Sequence, residues 1–441
     1  MSSEPVIALL VYGTPLLLLW TVYTLRRRAR DRAALAVLAA VREAGPGIPS
    51  SLHPLINPNR CLGCRSCEEA CPETDVLRIV RGKAQVVHPE NCVGHGACRE
   101  ACPTDAITLV LGTETEGVEV PVLDPSFQTS VPGLFVAGEL GGMGLIRNAV
   151  EQGRQAVESA QAFLAREGRG GGDALDLVIV GAGPAGFAAS LAARQHDLRF
   201  ATLEQEQVGG AVAHYPRRKL VLTAPVELPG VGRIALREIT KEALLELWQK
   251  AEEQARLPIH RGEAVESVRR GDGLFQVKGS KAAYRARSVI LAIGRRGSPR
   301  KLGVPGEELA KVVYRLADAE QYRGLAVLVV GGGDSAVEAA VSLSEQPGTR
   351  VALSHRRKDF GRAKPANREK LEAAAAAGAL EIVRESQVSE IGAREVRLLT
   401  ATGERRLAND AVIVCVGGTL PSEFLRAAGV ETDTKYGTPI W

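Results

Sequence analysis

The chain has 441 residues, enough for two to four domains, and 45% of them are hydrophobic, enough for sizeable cores. The net charge of +4 is mild and aromatics make up only 4%, which excludes the basic, stacking-rich surface of a nucleic-acid binder. Glycine is abundant at 47 residues, as nucleotide-binding turns require.

In chain order, the first signal is an almost uninterrupted apolar run from Pro5 to Leu25. About 20 such residues span a bilayer core. Trp20 and Tyr23 stand where an interfacial aromatic belt would lie, and Arg26, Arg27, Arg28, Arg30 and Arg32 follow. The positive-inside rule then predicts a single-pass inner-membrane anchor over residues 1–28, with the catalytic domains cytoplasmic. A cleaved leader would carry its charge before the apolar run instead. Pro15 is expected to kink the span. Residues 29–51 are an Ala-rich amphipathic helix, ended by Gly45-Pro46-Gly47, and a linker along the membrane surface.

Residues 52–112 hold seven of the eight cysteines in two runs. Cys61-x2-Cys64-x2-Cys67-x3-Cys71-Pro72 has the bacterial ferredoxin spacing, and Cys92-x2-His95-x2-Cys98-x3-Cys102-Pro103 nearly repeats it. In that spacing three thiolates wrap one iron–sulfur cluster and the fourth reaches the other. Cys61, Cys64, Cys67 and Cys102 are therefore expected to hold one 4Fe–4S cluster, with Cys92, Cys98 and Cys71 on the second. The remaining corner falls on His95. Either its imidazole ligates iron, or it turns away and the second cluster is 3Fe–4S. Zinc is the alternative for the whole stretch, and the duplicated pattern argues against it. Clusters held by thiolates suit a reducing compartment. A hairpin is expected over Leu77–His88 and a closing strand over Ile107–Leu111.

Residues 173–297 contain a strand running into Gly181-Ala-Gly183-Pro-Ala-Gly186, with a helix after it and a second strand ending in Glu204. Gly181 permits the tight turn, Gly183 the approach of a pyrophosphate, and Gly186 close packing of helix on strand; Glu204 would hold ribose hydroxyls. Residues 298–408 repeat the pattern at Gly331-Gly-Gly333-Asp-Ser335-Ala336. The following strand ends in His355, Arg356 and Arg357, with Arg362 nearby and no acid, which suits the extra phosphate of NADPH.

Together these residues resemble the thioredoxin reductase family of flavoproteins, and a branch that looks like bacilliredoxin reductase through Phe360-Gly-Arg-Ala-Lys-Pro-Ala-Asn-Arg368. The resemblance includes Gly209-Gly210, Gly294 at the domain crossover, and the return strand in 409–441. It implies an α/β fold with two Rossmann-like domains, FAD in the first and NADPH in the second, beside the α+β dicluster domain and the transmembrane helix. Two departures stand out. The family's Cys-x-x-Cys pair is missing, and Cys415 is alone in an apolar strand, where it is expected to be buried. The family's closing segment, Thr-Ser-x-Pro-Gly-Leu-Phe-x-x-Gly-Asp, occurs upstream as Thr129 to Glu139, so residues 113–168 are expected to be a permuted end of the FAD domain joined through Gly168–Gly172. Gly138 and Glu139 would then meet the flavin's ribityl chain, and the helix near Arg147 its pyrimidine edge.

The expected function is a membrane-anchored NADPH-dependent oxidoreductase. It passes electrons between NADPH, FAD and two iron–sulfur clusters, to or from a one-electron or quinone-linked partner at the membrane. An NADPH-dependent disulfide reductase and a membrane-tethered redox sensor are the alternatives. The resemblance also implies a homodimer.

Overall fold

The computed structural model describes all residues except 1–8, 45–51, 74–75, 115–116, 143, 168–171, 216–219, 223–224, 235–238, 296–297, 362, 364, 420 and 440–441. The chain divides into two compact units, Met1–Val110 and Leu111–Trp441.

The first unit opens with a π-helical turn, Leu9–Gly13, and a long helix α1 (Thr14–Ala44). The expected membrane span is not found: among the described residues no helix is long and apolar enough to cross a membrane. Length and charge are the reason. α1 is uncharged only from Thr14 to Leu25 before its arginines begin, whereas a span needs about 20 apolar residues at about 1.5 Å each. Residues 5–8 of the apolar run lie outside the described residues. The inner-membrane placement, and the cytoplasmic side inferred from it, fall with the span. Pro15 lies in the first turn of α1, directly after the π-helical turn Leu9–Gly13. α1 runs without a break from Thr14 to Ala44, across the boundary expected at residue 28.

After α1 come β1 (His53–Ile56), α2 (Ser66–Ala70), β2 (Leu77–Val80), β3 (Lys83–Val86), α3 (Ala97–Glu100) and β4 (Ile107–Val110). The expected hairpin and closing strand are both present. β2 and β3 pair antiparallel with Leu77 opposite Val86, and β4 pairs antiparallel with β1. Arg81 and Gly82 turn the hairpin with φ of 51° and 77°, the mirror-image turn that matches strand twist. The near-repeat of the sequence recurs in the backbone. Each cysteine run enters its short helix through a left-handed residue, Arg65 before α2 and Gly96 before α3.

The second unit begins with β5 (Val118–Pro121), β6 (Leu134–Val136), α4 (Ile146–Arg166), β7 (Leu175–Val180), α5 (Pro184–Gln195) and β8 (Phe200–Glu204). It continues through α6 (Lys241–Ala255), β9 (Ile259–Arg261), β10 (Val265–Gly271), β11 (Leu274–Gly279) and β12 (Ala283–Leu291). These strands build a seven-stranded sheet ordered β9-β8-β7-β12-β11-β10, with β6 also against β12. β7 and β6 both run parallel to β12, and Leu291 lies opposite Val180 on one side and Val136 on the other. α4 crosses α5 almost backbone to backbone: a Cβ on Gly153 would lie 2.1 Å from the Ala185 carbonyl oxygen. Phe135, Val150, Val157, Phe187 and Trp248 share the core beneath them.

A second parallel sheet follows, from β13 (Ala326–Val330), α7 (Asp334–Ser344), β14 (Arg350–His355), α8 (Pro365–Ala376), β15 (Leu380–Arg384) and β16 (Ala411–Val414). Its order is Val312–Val313, β16, β13, β14, β15. β13 and β16 are buried at every residue, as parallel strands covered on both faces must be. The unit ends with α9 (Ser422–Ala427) and β17 (Thr432–Lys435).

β17 pairs antiparallel with β5, the unit's first strand, with Lys435 opposite Val118. Beyond them Leu111 donates to the Thr438 carbonyl and Gly437 to that of Leu111. Glu119 fastens this closure by accepting hydrogen bonds from Ser422 Oγ (2.6 Å), Thr432 Oγ1 (2.8 Å) and the Arg426 guanidinium (2.9 Å). The bonds from Ser422 and Thr432, with Arg426 behind them, hold its carboxyl below the usual range. A depressed carboxyl contributes in full above its unfolded pKa, and the contribution is lost as pH falls through the folded value. Glu119→Gln is expected to lower stability at neutral pH by about 2 kcal/mol in urea unfolding, with the difference narrowing in acid. A loss that stays the same at both pH values would show that the charge plays no part.

Candidate functional site

In the first unit Cys61, Cys64, Cys67 and Cys102, the four residues assigned to one cluster, line a single pocket together with Ile79, Ala84, Ala106 and Ile107. The donor chemistry fits a thiolate-held cluster. The Ala84 N–H points at Cys61 Sγ (3.3 Å), the Ala106 N–H at Cys102 Sγ (3.3 Å), and Ser66 Oγ lies 3.4 Å from Cys64 Sγ. Hydrogen bonds to the sulfurs are a main control on cluster potential. No three His, Cys, Asp or Glu among the described residues converge closely enough to hold a single ion.

Burial pushes the Cys67 thiol up to about 11 and Cys98 up to about 12. Such thiols keep their protons at neutral pH, and iron must displace them. Cys98 feels the charges of Cys92 and Cys71, and Cys92 that of Cys71, so the second set is also gathered together. Glu73 joins it: its Oε1 lies 3.6 Å from His95 Nε2, and its charge reaches Cys71 and Cys92. Sequence reading passed over Glu73, although it follows Cys71-Pro72 directly.

In the second unit the first glycine turn leaves β7. A Cβ on Gly186 would lie 1.8 Å from the Gly181 carbonyl oxygen, so only glycine lets α5 pack onto the strand there. Glu204 is buried at the end of β8, and its carboxylate accepts from the Ala182 N–H (2.7 Å) and the Glu206 N–H (2.9 Å). A carboxylate has about four acceptor sites, so capacity remains for ribose hydroxyls. Gly210 packs against Gly183, a Cβ there falling 2.9 Å from the Gly183 Cα, and Gly209 hydrogen-bonds the Ala182 carbonyl. Gly138 follows β6 and donates to Gln152 Oε1 of α4 (2.8 Å). Glu139 and Arg147 are exposed, and Gly294 lies just past β12 with φ of 66°.

The second turn repeats the arrangement, with Gly331 at φ 147°, Gly333 ahead of α7, Ser335 exposed and Ala336 fully buried. The basic group after β14 separates into two kinds. Arg356 and Arg357 are exposed. His355 is buried, holds the Asp359 carbonyl through Nε2 (2.8 Å), stacks on Phe360, and lies over Gly332 so closely that a Cβ there would be 2.0 Å from its ring. Arg362 lies outside the described residues. Cys415 is half-buried rather than buried, beside the turn at Gly331, and burial pushes its thiol to about 11.

A link between the two sheets also escaped the sequence. Glu206 Oε2, just beyond β8, takes His214 Nε2 (3.0 Å) and an Arg315 nitrogen (2.7 Å) from the segment leading to β13. Burial pushes Glu206 up, but Arg315 and His214 outweigh it and leave the carboxyl below its usual value. Nothing local in sequence ties residues 109 positions apart.

Comparison with known proteins agrees with this geometry. Residues 178–440 match the family described as pyridine nucleotide-disulphide oxidoreductase, and residues 53–103 match the 4Fe-4S dicluster domain. The chain is 30% identical over 269 residues to a ferredoxin–NADP reductase from Ignicoccus hospitalis, covering 59% of this chain and 83% of the relative. It is 27% identical to bacilliredoxin reductase from Bacillus subtilis, covering 60% and 83%. The solved bacillithiol disulfide reductase from Bacillus cereus superposes with a TM-score of 0.52 at 25% identity, covering 59% and 82%. The chain belongs to the pyridine nucleotide-disulphide oxidoreductase family. It is an FAD-dependent NAD(P)H oxidoreductase fused to an iron–sulfur domain.

The two cysteine sets are separable by mutation. Cys64→Ser is expected to abolish the first cluster's EPR signal and spare the second, Cys71→Ser the reverse, and His95→Ala to alter the second signal alone. A His95→Ala spectrum identical to that of the unaltered chain removes His95 from the ligands.

Proposed function

We propose that this chain takes electron pairs from NADPH and passes them singly, through two iron–sulfur clusters, to a one-electron carrier. The observation that carries this reading is the distribution of its sulfur. Seven of eight cysteines lie in the cluster runs, and the last, Cys415, is solitary with a thiol held protonated. No protein dithiol remains to relay electrons to a disulfide. When bound, NADPH supplies hydride, FAD accepts the pair, and each cluster carries one electron.

The chain's own residues bind and orient. The α5 N-terminus and the Gly181–Gly186 turn face a pyrophosphate, and Glu204 takes ribose hydroxyls. Glu139 and the α4 N-terminus serve the flavin end. Gly331, Gly333, Ser335 and Ala336 receive the nicotinamide dinucleotide, with Arg356 and Arg357 on its 2′-phosphate. The exposure of these two arginines, against the burial of His355, supports that division of roles.

Residues 113–168 act here as the closing segment of the FAD domain, moved to its front. The pairing of β6 with β12, the packing of α4 on α5 and the seam between β5 and β17 support this permutation.

The likeness to the Bacillus cereus disulfide reductase favours a second reading, reduction of a small disulfide by the flavin directly. Anaerobic NADPH titration, followed by flavin absorbance and cluster EPR together, separates the two. Bleached flavin with reduced clusters is the expected result. Bleached flavin with oxidised clusters, and turnover only with a disulfide, overturns it. Arg356→Ala is expected to weaken NADPH by at least about tenfold and NADH little, measured by KM, since it removes a charge-assisted bond to phosphate. Equal losses for both would dismiss the phosphate role.

A further inference from the structure

The three strands that meet at Leu291 end on one edge of the sheet, and each is followed by a different kind of residue. The glycine turn follows β7, Glu139 follows β6, and Arg295 follows β12. Ligands of open α/β sheets bind beyond the carboxyl ends of parallel strands. Arg295 sits at that edge, half-buried, and among the described residues it makes no ion pair and no hydrogen bond. The opposite charge it feels is that of Glu139, with which it forms no ion pair. Burial pushes the guanidinium below its usual value and Glu139 draws it partly back. Withdrawing a guanidinium even partly from water without a partner is costly, so a half-buried, unpaired side chain at this edge suits an electron-rich group there.

We propose that Arg295 is a flavin-site residue whose positive charge, partly balanced by Glu139, stabilises negative charge on the N1–C2 carbonyl side of the bound ring. The inference rests on FAD binding in this unit and adds the electrostatic residue that sets the ring's affinity for electrons. Another feature of the edge shares its sign. α4 is 21 residues long and presents its N-terminus there, and Leu145 ahead of it is held at φ 87° and ψ 127°, a strained conformation for a side-chain-bearing residue. Arg295 differs from a helix terminus in carrying a full charge that one substitution removes.

Sulfite is the probe. Its lone pair forms a bond to flavin N5, and the added negative charge settles on N1 and the C2 carbonyl. The full-length, FAD-loaded chain is titrated with sulfite and followed by loss of flavin absorbance. Arg295→Gln is expected to weaken the adduct about tenfold while retaining FAD, a shift of one unit in charge stabilisation. Arg295→Lys should keep most of the affinity, and Glu139→Gln should strengthen it. Sulfite binding by Arg295→Gln as tight as in the unaltered chain overturns the proposal, as does failure of the unaltered chain to form any adduct. Equal loss of FAD from the Gln and Lys variants also overturns it, because that marks a packing role. An unaltered chain that takes up no FAD defeats the flavin reading itself, a result distinct from these.

Discussion

The flavin-side sheet depends on one alignment: three parallel strands, β6, β12 and β7, terminate in register. The end of β12 is hydrogen-bonded into both neighbours, the Ala137 N–H donating to the Leu291 carbonyl oxygen and the Ala292 N–H to that of Val180. A parallel sheet cannot slip by one residue without turning its buried side out. Gly138, Gly181 and Gly294 therefore leave the sheet within a few residues of one line. The second sheet repeats this logic with β16, β13 and β14, where the Cys415 N–H binds the Val330 carbonyl and the Gly331 N–H that of Ser354. Binding residues scattered over hundreds of positions become neighbours because strand ends, rather than loops, fix where each turn begins.

The iron–sulfur unit follows a different principle. Its buried core contains Cys61, Cys67, Cys92 and Cys98 among Val76, Leu77, Ala84 and Ile107. Four of the seven cysteines proposed as ligands are thus also core residues. In so small a unit, binding metal and completing the fold draw on the same free energy. Thiols raised by burial make that coupling steep, since they are poor donors until iron replaces the proton.

What the sequence disclosed follows from how local each signal is. Cysteine spacing and glycine spacing encode chemistry within a dozen residues, so both the cluster cavity and the two nucleotide turns were legible. The eleven residues from Thr129 to Glu139 were legible too, because their strand carries its own turn. The N-terminal run misled because its continuity in sequence is not matched by the helix: α1 begins at Thr14 and meets Arg26 after twelve residues. His355, Arg356 and Arg357 formed one basic group in sequence, yet only the structure shows His355 folding back under Gly332. Glu206 with Arg315 and Glu73 with His95 were invisible because tertiary packing brings them together, and no periodicity announces them.

The seam between β5 and β17 has a consequence for the order in which the molecule can be completed. Glu119 waits for Thr432, a partner 313 positions later. The first strand of this unit stays an open edge until β17 has joined it. Closure entropy grows only slowly with such a separation, but contacts this distant in sequence slow folding. Finishing this unit therefore falls to β17, whose loss would leave β5 without a mate.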